Sequence, residues 1–325
     1  MVNEKLSTKA YILQRLRQER GAFVSGTRLG EALGISRVAV WKAVKSLLGA
    51  GYPIEEASKG YRLAQTDSED FLYPWEFGEK ESLFHYWKTT DSTMNRAGEL
   101  AAQGICGGTV ITAETQTAGR GRNGKPWVSA QGGLFFTLLE RPGLAVADYA
   151  LMTITAHIAA AGAIGRLCGK RALLRWPNDI YIEGRKIAGI LSELHGEGDR
   201  LSWIALGIGI NVGNDPASPN SVNCTELLGR PVSRREALLA VLQELEKTKR
   251  LKDYPQELCG QWNQIAEGRG GRIAVVDPSR KTIANYKEAV GKGIFLGIDT
   301  AGRGMVKTDT GITRFTPGSA SFVFL

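Results

Sequence analysis

The 325-residue sequence is poor in the residues that cross-link small folds or ligate transition metals. It holds four cysteines, Cys106, Cys168, Cys224 and Cys259, each more than thirty residues from the next, and three scattered histidines, His85, His157 and His195. That spacing excludes a zinc motif, and a disulfide framework is not expected in so long a chain. A reduced, cytoplasmic protein is the expectation. Long apolar runs are missing too. The least polar stretch, residues 150–165, is too short to span a bilayer and contains Thr153, Thr155 and His157, which predicts a buried helix. The first ten residues, MVNEKLSTKA, lack the apolar core of a secretion signal. With 43% hydrophobic and 23% charged residues the composition is that of a globular protein, of two or three domains at roughly 150 residues each.

Acidic residues are the scarcer charge, 33 against 41 Lys and Arg, for a formal net charge of +8. The excess is uneven. Residues 1–66 hold 11 basic and 5 acidic side chains, residues 67–268 hold 21 and 24, and residues 269–325 hold 9 and 4. A basic terminal module beside a mildly acidic body is the charge pattern of a nucleic-acid-binding appendage, although a merely soluble basic surface has the same arithmetic.

Within residues 1–66, Tyr11, Ile12, Leu13 and Leu16 form a helical stripe ending near Gly21. Thr27 as N-cap precedes Leu29, Ala32 and Leu33, stopped by Gly34, and Ser36 caps a third helix carrying Val38, Val40, Val44, Leu47 and Leu48 up to Gly49. Two helices joined by a tight glycine turn predict a helix-turn-helix, and the alternation through residues 52–63 around Ser58-Lys59-Gly60 predicts a hairpin wing. Ser25, Thr27, Ser36, Arg37, Val38, Trp41, Lys42 and Lys45 are the candidate DNA contacts, since the N-terminal half of a recognition helix meets base edges and phosphates. A three-helix protein-docking domain is the alternative.

Residues 67–80, with Pro74, Gly78 and mixed charges, read as a linker. Beyond them strand patterns at 108–113, 133–139 and 203–210 mix with helical patterns at 93–103, 147–167 and 234–249, an α/β layout without internal repeats. The most unusual segment runs Gln116-Thr-Ala-Gly-Arg-Gly-Arg-Asn-Gly-Lys-Pro-Trp127. Residues 119–125 match the start of a phosphate-binding P-loop, but Pro126 stands where Ser or Thr must follow and denies the loop its helix. What remains is a glycine loop with Arg120, Arg122 and Lys125, suited to a polyphosphate or acyl phosphate, and Trp127 suited to stacking on a base or capping an apolar pocket.

A second segment is Arg175-Trp-Pro-Asn-Asp179, followed through Glu183-Gly184 by Arg185-Lys186-Ile-Ala-Gly-Ile-Leu191. Lys186 opens an apolar strand, where burial would set its ammonium against a carboxylate or carbonyl oxygen. Asn178 and Asp179 suit a ribose, a phosphate or magnesium. In Gly207-Ile-Gly-Ile-Asn211 the small residues let a ligand lie against a strand.

Together these segments resemble the bifunctional biotin protein ligase and biotin operon repressor family, over nearly the whole chain: the winged helix, Asp91-Ser92-Thr93, Gln116, Gly119-Arg-Gly-Arg122 with Trp127, Arg175-Trp-Pro-Asn-Asp179, Arg185-Lys186-Ile-Ala-Gly189, Gly207-Ile-Gly-Ile-Asn211 and a basic β-rich tail. The resemblance implies an α/β (α+β) fold of three domains. These are a winged helix-turn-helix at 1–66, a mixed α/β ligase domain of the biotin/lipoate ligase type at 67–268, and a small Src-homology-3-like barrel at 269–325. It implies an enzyme that joins biotin and ATP into biotinyl-5′-AMP and pyrophosphate, then passes biotin to a lysine of the biotin carboxyl carrier protein, with Mg2+ accompanying ATP. It further implies repression at operator DNA by an adenylate-bound homodimer. Carried over by residue, Ser92, Thr93 and Gln116 line the biotin pocket, Arg120, Gly121 and Arg122 form the loop over biotin and adenylate, and Lys186 faces the reacting carboxyl. Trp127, Asn178, Asp179 and Asn211 fall on the nucleotide side. Lys186 and Arg122 are the candidate catalytic pair.

The sequence departs from the family pattern at Met94, where asparagine is common, at Asn123, where arginine is common, and at Arg175, where lysine is common. Arginine for lysine keeps the charge but changes reach and geometry. Two other readings stay open, a transcription factor that senses biotin without chemistry and a lipoate or octanoyl ligase of related fold. In the tail, strands are expected at 272–276, 282–290, 293–299, 304–308, 313–316 and 321–325.

Overall fold

The computed structural model describes residues 6–19, 21–64, 70–216, 218–277 and 289–325, and the chain divides into two compact units, Met1–Tyr86 and Trp87–Leu325. In the first unit α1 (Thr8–Gln18), α2 (Gly26–Leu33) and α3 (Arg37–Gly49) are followed by a hairpin of β1 (Ile54–Ala57) and β2 (Gly60–Leu63). Each helix begins at a serine whose Oγ accepts a free backbone N–H of the first turn: Ser7 from Ala10, Ser25 from Arg28 and Ser36 from Ala39. Thr27, expected as the cap of α2, therefore lies inside that helix, because Ser25 reaches the orphan donors two residues earlier. The first helix likewise stops at Gln18, short of Gly21.

Ile12, Leu13, Leu16, Leu29, Val40, Val44 and Leu47 close the core of this unit. At the wing tip only glycine fits: Gly60 has φ +125, and a Cβ there would stand 2.1 Å from the Val24 carbonyl oxygen. Residues 70–83 do not behave as a linker. Pro74–Leu83 forms a kinked 3-10 segment, and Phe71, Tyr73 and Trp75 pack on the winged-helix core. The apolar rings hidden among mixed charges explain the difference. Glu76, 5% exposed, anchors the segment by accepting from Nη1 and Nη2 of Arg17 and from the Tyr52 hydroxyl at 2.6 Å. Burial and the neighbouring Glu76 carboxylate drive the Tyr52 pKa upward, so Tyr52 stays a donor.

The second unit is built on a seven-stranded sheet in the order β3-β4-β5-β9-β8-β7-β6. Its strands are β3 (Phe84–Thr90), β4 (Thr109–Gln116), β5 (Leu134–Glu140), β6 (Leu173–Arg175), β7 (Asp179–Ile182), β8 (Arg185–Glu197) and β9 (Arg200–Ile210). The β4–β5, β5–β9, β9–β8, β8–β7 and β7–β6 pairs are antiparallel. Strand alternation divides its faces. Gly189 and Leu191 lie opposite Gly209 and Gly207, on the face that carries Met94 of α4 (Thr93–Ala102). Ile190 and Ser192 point the other way, where Thr153 of α5 (Tyr149–Cys168) donates to Ser192 at 3.0 Å.

Helix α5 is the expected buried helix. It is long and apolar enough to cross a membrane by length and composition, and 67% of that stretch is buried inside this unit. It packs against α7 (Arg234–Thr248) and α8 (Pro255–Gln264), while the short α6 (Cys224–Leu228) follows the loop after β9. The chain ends in a five-stranded antiparallel sheet of Src-homology-3-like type, ordered β13-β12-β11-β10-β14. Its strands are β10 (Arg272–Val276), β11 (Gly291–Ile298), β12 (Gly304–Thr308), β13 (Gly311–Phe315) and β14 (Ser321–Phe324). The strand expected at 282–290 falls mostly outside the described residues.

Candidate functional site

A cavity of about 390 Å³ opens on the glycine-bearing face of the large sheet, and it gathers side chains from segments up to 230 residues apart in sequence. Ser92, Thr93 and Gln116 stand at one end. Serine caps α4 by accepting from the Met94 N–H, and the Thr93 N–H donates to Gln116 Oε1 at 2.8 Å. A backbone N–H can only donate, which fixes the orientation of the glutamine amide. Thr137 donates to Thr93, Thr93 to Gln116 Oε1, and Gln116 Nε2 to Ser129 Oγ at 2.8 Å. Among the described residues the Ser92 hydroxyl hydrogen and the second Gln116 amide hydrogen have no acceptor. This end of the pocket therefore presents two unsatisfied donors.

The glycine-arginine loop closes on itself as a tight hairpin. Gly121 donates to the Lys125 carbonyl and Trp127 to the Gly119 carbonyl, with a single turn at Arg122–Gly124 and Asn123 at φ 56. No helix follows, as Pro126 requires. Trp127 lies back on the sheet, where a Cβ at Gly209 would meet its ring at 2.6 Å and one at Gly189 at 3.0 Å. The small residues thus receive an indole, and the Trp127 Nε1–H is buried without a partner. Arg120 lines the cavity but is engaged, bidentate to Glu193 at 3.0 Å on both nitrogens and to Asn95 at 2.6 Å. Arg122, together with Gly121, lines the cavity without an ion pair among the described residues, its guanidinium 3.3 Å from where a Cβ on Gly318 would stand. Burial lowers its pKa, opposed by the field of Asp179.

Opposite the loop stand Asn178, Asp179 and Lys186. The Lys186 ammonium, partly buried, lies 2.7 Å from Asp179 Oδ1, a carboxylate contact of the expected kind. A β-bulge brings this about. Ile180 pairs with Ala188 but Tyr181 with Lys186, so one extra residue sits in β8. Without it, alternation from Ser192 and Ile190 would place Lys186 on the α5 face; with it, the side chain turns onto the pocket face beside Gly189. The Glu183-Gly184 turn, both residues at positive φ, joins the two strands as anticipated. Asn178 Nδ2 donates to the Ile190 carbonyl at 2.9 Å. Arg175 lines the same cavity, held bidentate by Glu267 at 2.5 and 2.8 Å and stacked over the Tyr181 ring at 3.6 Å.

Asn211 is not among the lining residues. It is 6% exposed, donates its backbone N–H to the Ile187 carbonyl and accepts from Asn214 at 3.2 Å. Met94 is core, 5% exposed and packed over Gly207, so this position brings no polar group to the pocket. Asn95, Ser129 and Glu193 were missed. Only Glu193, an acid in an apolar strand, left a signal in the sequence.

In the first unit Ser36, Arg37, Val38, Trp41, Lys42 and Lys45 form an exposed face of α3, with Val38 61% and Trp41 47% exposed. Ser25 and Thr27 lie at the start of α2. Lys45 is paired with Glu56 of the wing at 2.5 Å, whereas Arg37 and Lys42 have no acidic partner among the described residues.

Residues 86–211 match the model of the biotin/lipoate A/B protein ligase family, and residues 8–62 match that of an HTH domain. The bifunctional ligase/repressor BirA of Bacillus subtilis is 32% identical over 93% of this chain and 95% of its own length, and that of Escherichia coli is 28% identical over 93% of each. Among solved structures, the biotin protein ligase from Aquifex aeolicus in complex with biotin and ATP superposes with a TM-score of 0.61 at 26% identity. It covers 74% of this chain and 99% of that one.

Proposed function

The chain belongs to the family of bifunctional biotin protein ligases and biotin operon repressors, and from that premise we propose how its residues divide the two tasks. The protein is an ATP-dependent ligase that forms biotinyl-5′-AMP and transfers biotin to a lysine of the carrier protein, and it is a transcriptional repressor. The observation that carries the residue assignment is one continuous cavity with two free hydrogen-bond donors at one end and cations along the rest.

A urea carbonyl accepts two hydrogen bonds, and the open donors of Ser92 and Gln116 suit the ureido oxygen of biotin. The dithiolane of lipoate offers no such acceptor, which favours biotin over a lipoate or octanoyl reading. The biotin carboxylate then lies toward Lys186 and Arg122. Its oxygen attacks the α-phosphorus of ATP, the bond from that phosphorus to the bridging oxygen breaks, and pyrophosphate leaves with the electron pair. Two anions approach each other in this step, and the cations Lys186, Arg122 and Arg175 lower the repulsion by standing in place before reaction. In the second step the carrier lysine attacks the acyl carbon, AMP leaves, and Lys186 with Arg122 stabilises the charge developing on the acyl oxygen. A sensor without chemistry has no need of this constellation.

Magnesium, arriving with ATP, supplies further counter-charge to the phosphates. Asn178 and Asp179 are the pocket's oxygen donors toward it, and among the described residues no group of three His, Cys, Asp or Glu could hold a metal independently. Trp127 leaves the Gly189–Gly209 floor for a place beside the adenine, where its free Nε1–H finds an acceptor. Ser36, Arg37, Val38, Trp41 and Lys42, with Ser25, Thr27 and Lys45 at the margins, meet operator DNA. The adenylate favours a homodimer matching a two-fold operator, and the compartment is the cytoplasm, where ATP and the chromosome meet. The division at 1–66, 67–268 and 269–325 belongs to the same reading, with residues 70–86 packed on the first module. Pyrophosphate release on mixing with biotin and MgATP, followed by operator binding in the same preparation, tests both halves. No release overturns the assignment of the ligase site, and equal operator affinity with and without biotin plus ATP overturns adenylate control.

A further inference from the structure

His157 plays no part in the chemistry above, yet it sits in the middle of a mostly apolar helix, 1% exposed, with both ring nitrogens engaged. Trp262 Nε1 lies 3.1 Å from Nδ1, and Nε2 lies 3.0 Å from the Asp179 carbonyl oxygen. An indole N–H only donates, so Nδ1 is bare and the imidazole proton resides on Nε2, where it points at Asp179. The donor direction therefore runs from Trp262 through His157 to the backbone of the residue whose carboxylate holds Lys186.

Trp262 lies near the end of α8, and five residues later Glu267 grips Arg175. Between them the chain pairs with β6: Leu174 donates to the Ile265 carbonyl at 2.8 Å and Glu267 to the Leu174 carbonyl at 2.9 Å. The five-residue segment from Arg175 to Asp179, which enters the cavity, is consequently held at one end by the residues that follow α8 and at the other by His157 of α5, to which Trp262 of α8 donates. We infer that α8 and the residues that follow it to Glu267 form a clamp that positions this segment, with His157 of α5 as its relay to Asp179 and Glu267 as its hold on Arg175.

The consequence concerns the Lys186–Asp179 pair. The carboxylate can aim at the ammonium only while the Asp179 backbone keeps its place at the start of β7. An unpinned carbonyl would let that residue rotate and carry Lys186 off the reacting oxygens. The inference rests on the reading of Lys186 as the cation of the reaction, and the test separates the two.

The full-length variants His157→Leu, His157→Gln, Trp262→Phe and Lys186→Met, each first checked by thermal melting, are compared for pyrophosphate release with biotin and MgATP. His157→Leu and Trp262→Phe should lower kcat about tenfold, with the KM for biotin changed less than about twofold, because substrate binding is made elsewhere. Glutamine, whose amide nitrogen reaches toward the same carbonyl, should restore most of the rate. The double variant His157→Leu/Trp262→Phe should be no slower than the slower single one, since the two form one relay. Unchanged kcat in folded His157→Leu or Trp262→Phe, alongside an inactive Lys186→Met, overturns the clamp. An equal fall in the leucine and glutamine variants does so too, because that pattern is loss of packing. Wild-type turnover by Lys186→Met overturns the site reading itself.

Discussion

Lys186 shows how much one residue depends on its surroundings. Its side chain reaches the pocket through a bulge and stays there through Asp179, 2.7 Å away. Replacing it with methionine keeps most of the bulk and removes the charge, and we expect adenylate formation to fall by about 10²–10³, the loss typical for one preorganised donor; single-turnover pyrophosphate release measures it. Ser92→Ala removes one donor to the ureido oxygen and should raise the KM for biotin roughly tenfold at nearly constant kcat, a split read from steady-state kinetics. His157 predicts a pH effect on stability. Burial lowers its pKa to about 4, whereas the unfolded chain titrates near 6.5. Between those values the unfolded state binds the extra proton, so the stabilisation is complete above pH about 6.5 and is lost as pH falls toward 4, by up to about 3 kcal/mol. Urea midpoints at pH 7 and 4.5 should converge less in wild type than in His157→Gln, and equal pH dependence would refute the assignment. Ser92, Gln116 and Lys186 were legible as residues because their motifs are distinctive. Asn95 and Ser129 were not, since single polar residues carry no pattern until the fold brings partners to them.

Among the elements, α3 presents two kinds of cation. Arg37 and Lys42 have no acidic partner among the described residues, while Lys45 is bound to Glu56 of the wing. If α3 lies on DNA, Arg37→Ala and Lys42→Ala should each weaken operator binding and reduce the slope of log affinity against log salt by about 0.9, the value for one phosphate contact. Lys45→Ala should change the slope less, because its charge is already compensated. Titration at several salt concentrations decides it. The longer helices other than α8, and most strands, follow from caps and periodicity: Ser36 for α3, Gly34 at the end of α2, the Glu183-Gly184 turn before β8, whereas α6 and α8 were not read from the sequence. The misplaced cap at Thr27 and the supposed linker at residues 67–80 share a cause. Local pattern ranks equal candidates, whereas Ser25 and the rings of Phe71, Tyr73 and Trp75 were selected by the orphan donors and the core they reach.

For the whole molecule, the two compact units, split at 86/87, suggest a cut that respects the strand running through that boundary. Removing residues 1–83 keeps β3 intact and should abolish operator binding while ligation to the carrier remains measurable; loss of both activities in a folded product would show that the tasks are inseparable. The sequence by itself determined the composition of the molecule: a basic winged helix, an α/β body with a glycine-arginine loop, a β-rich tail, and the residue types that suit an acyl adenylate. These follow from caps, periodicity and motif order, which act over a few residues. Tertiary structure alone decided which groups meet and which are free. It turned Lys186 onto the pocket face, tied Arg120 to Glu193, left Arg122 without an ion pair among the described residues, and withdrew Asn211 behind the cavity wall. Register, burial and the pairing of distant charges depend on contacts between segments a hundred residues and more apart, and no local pattern records them.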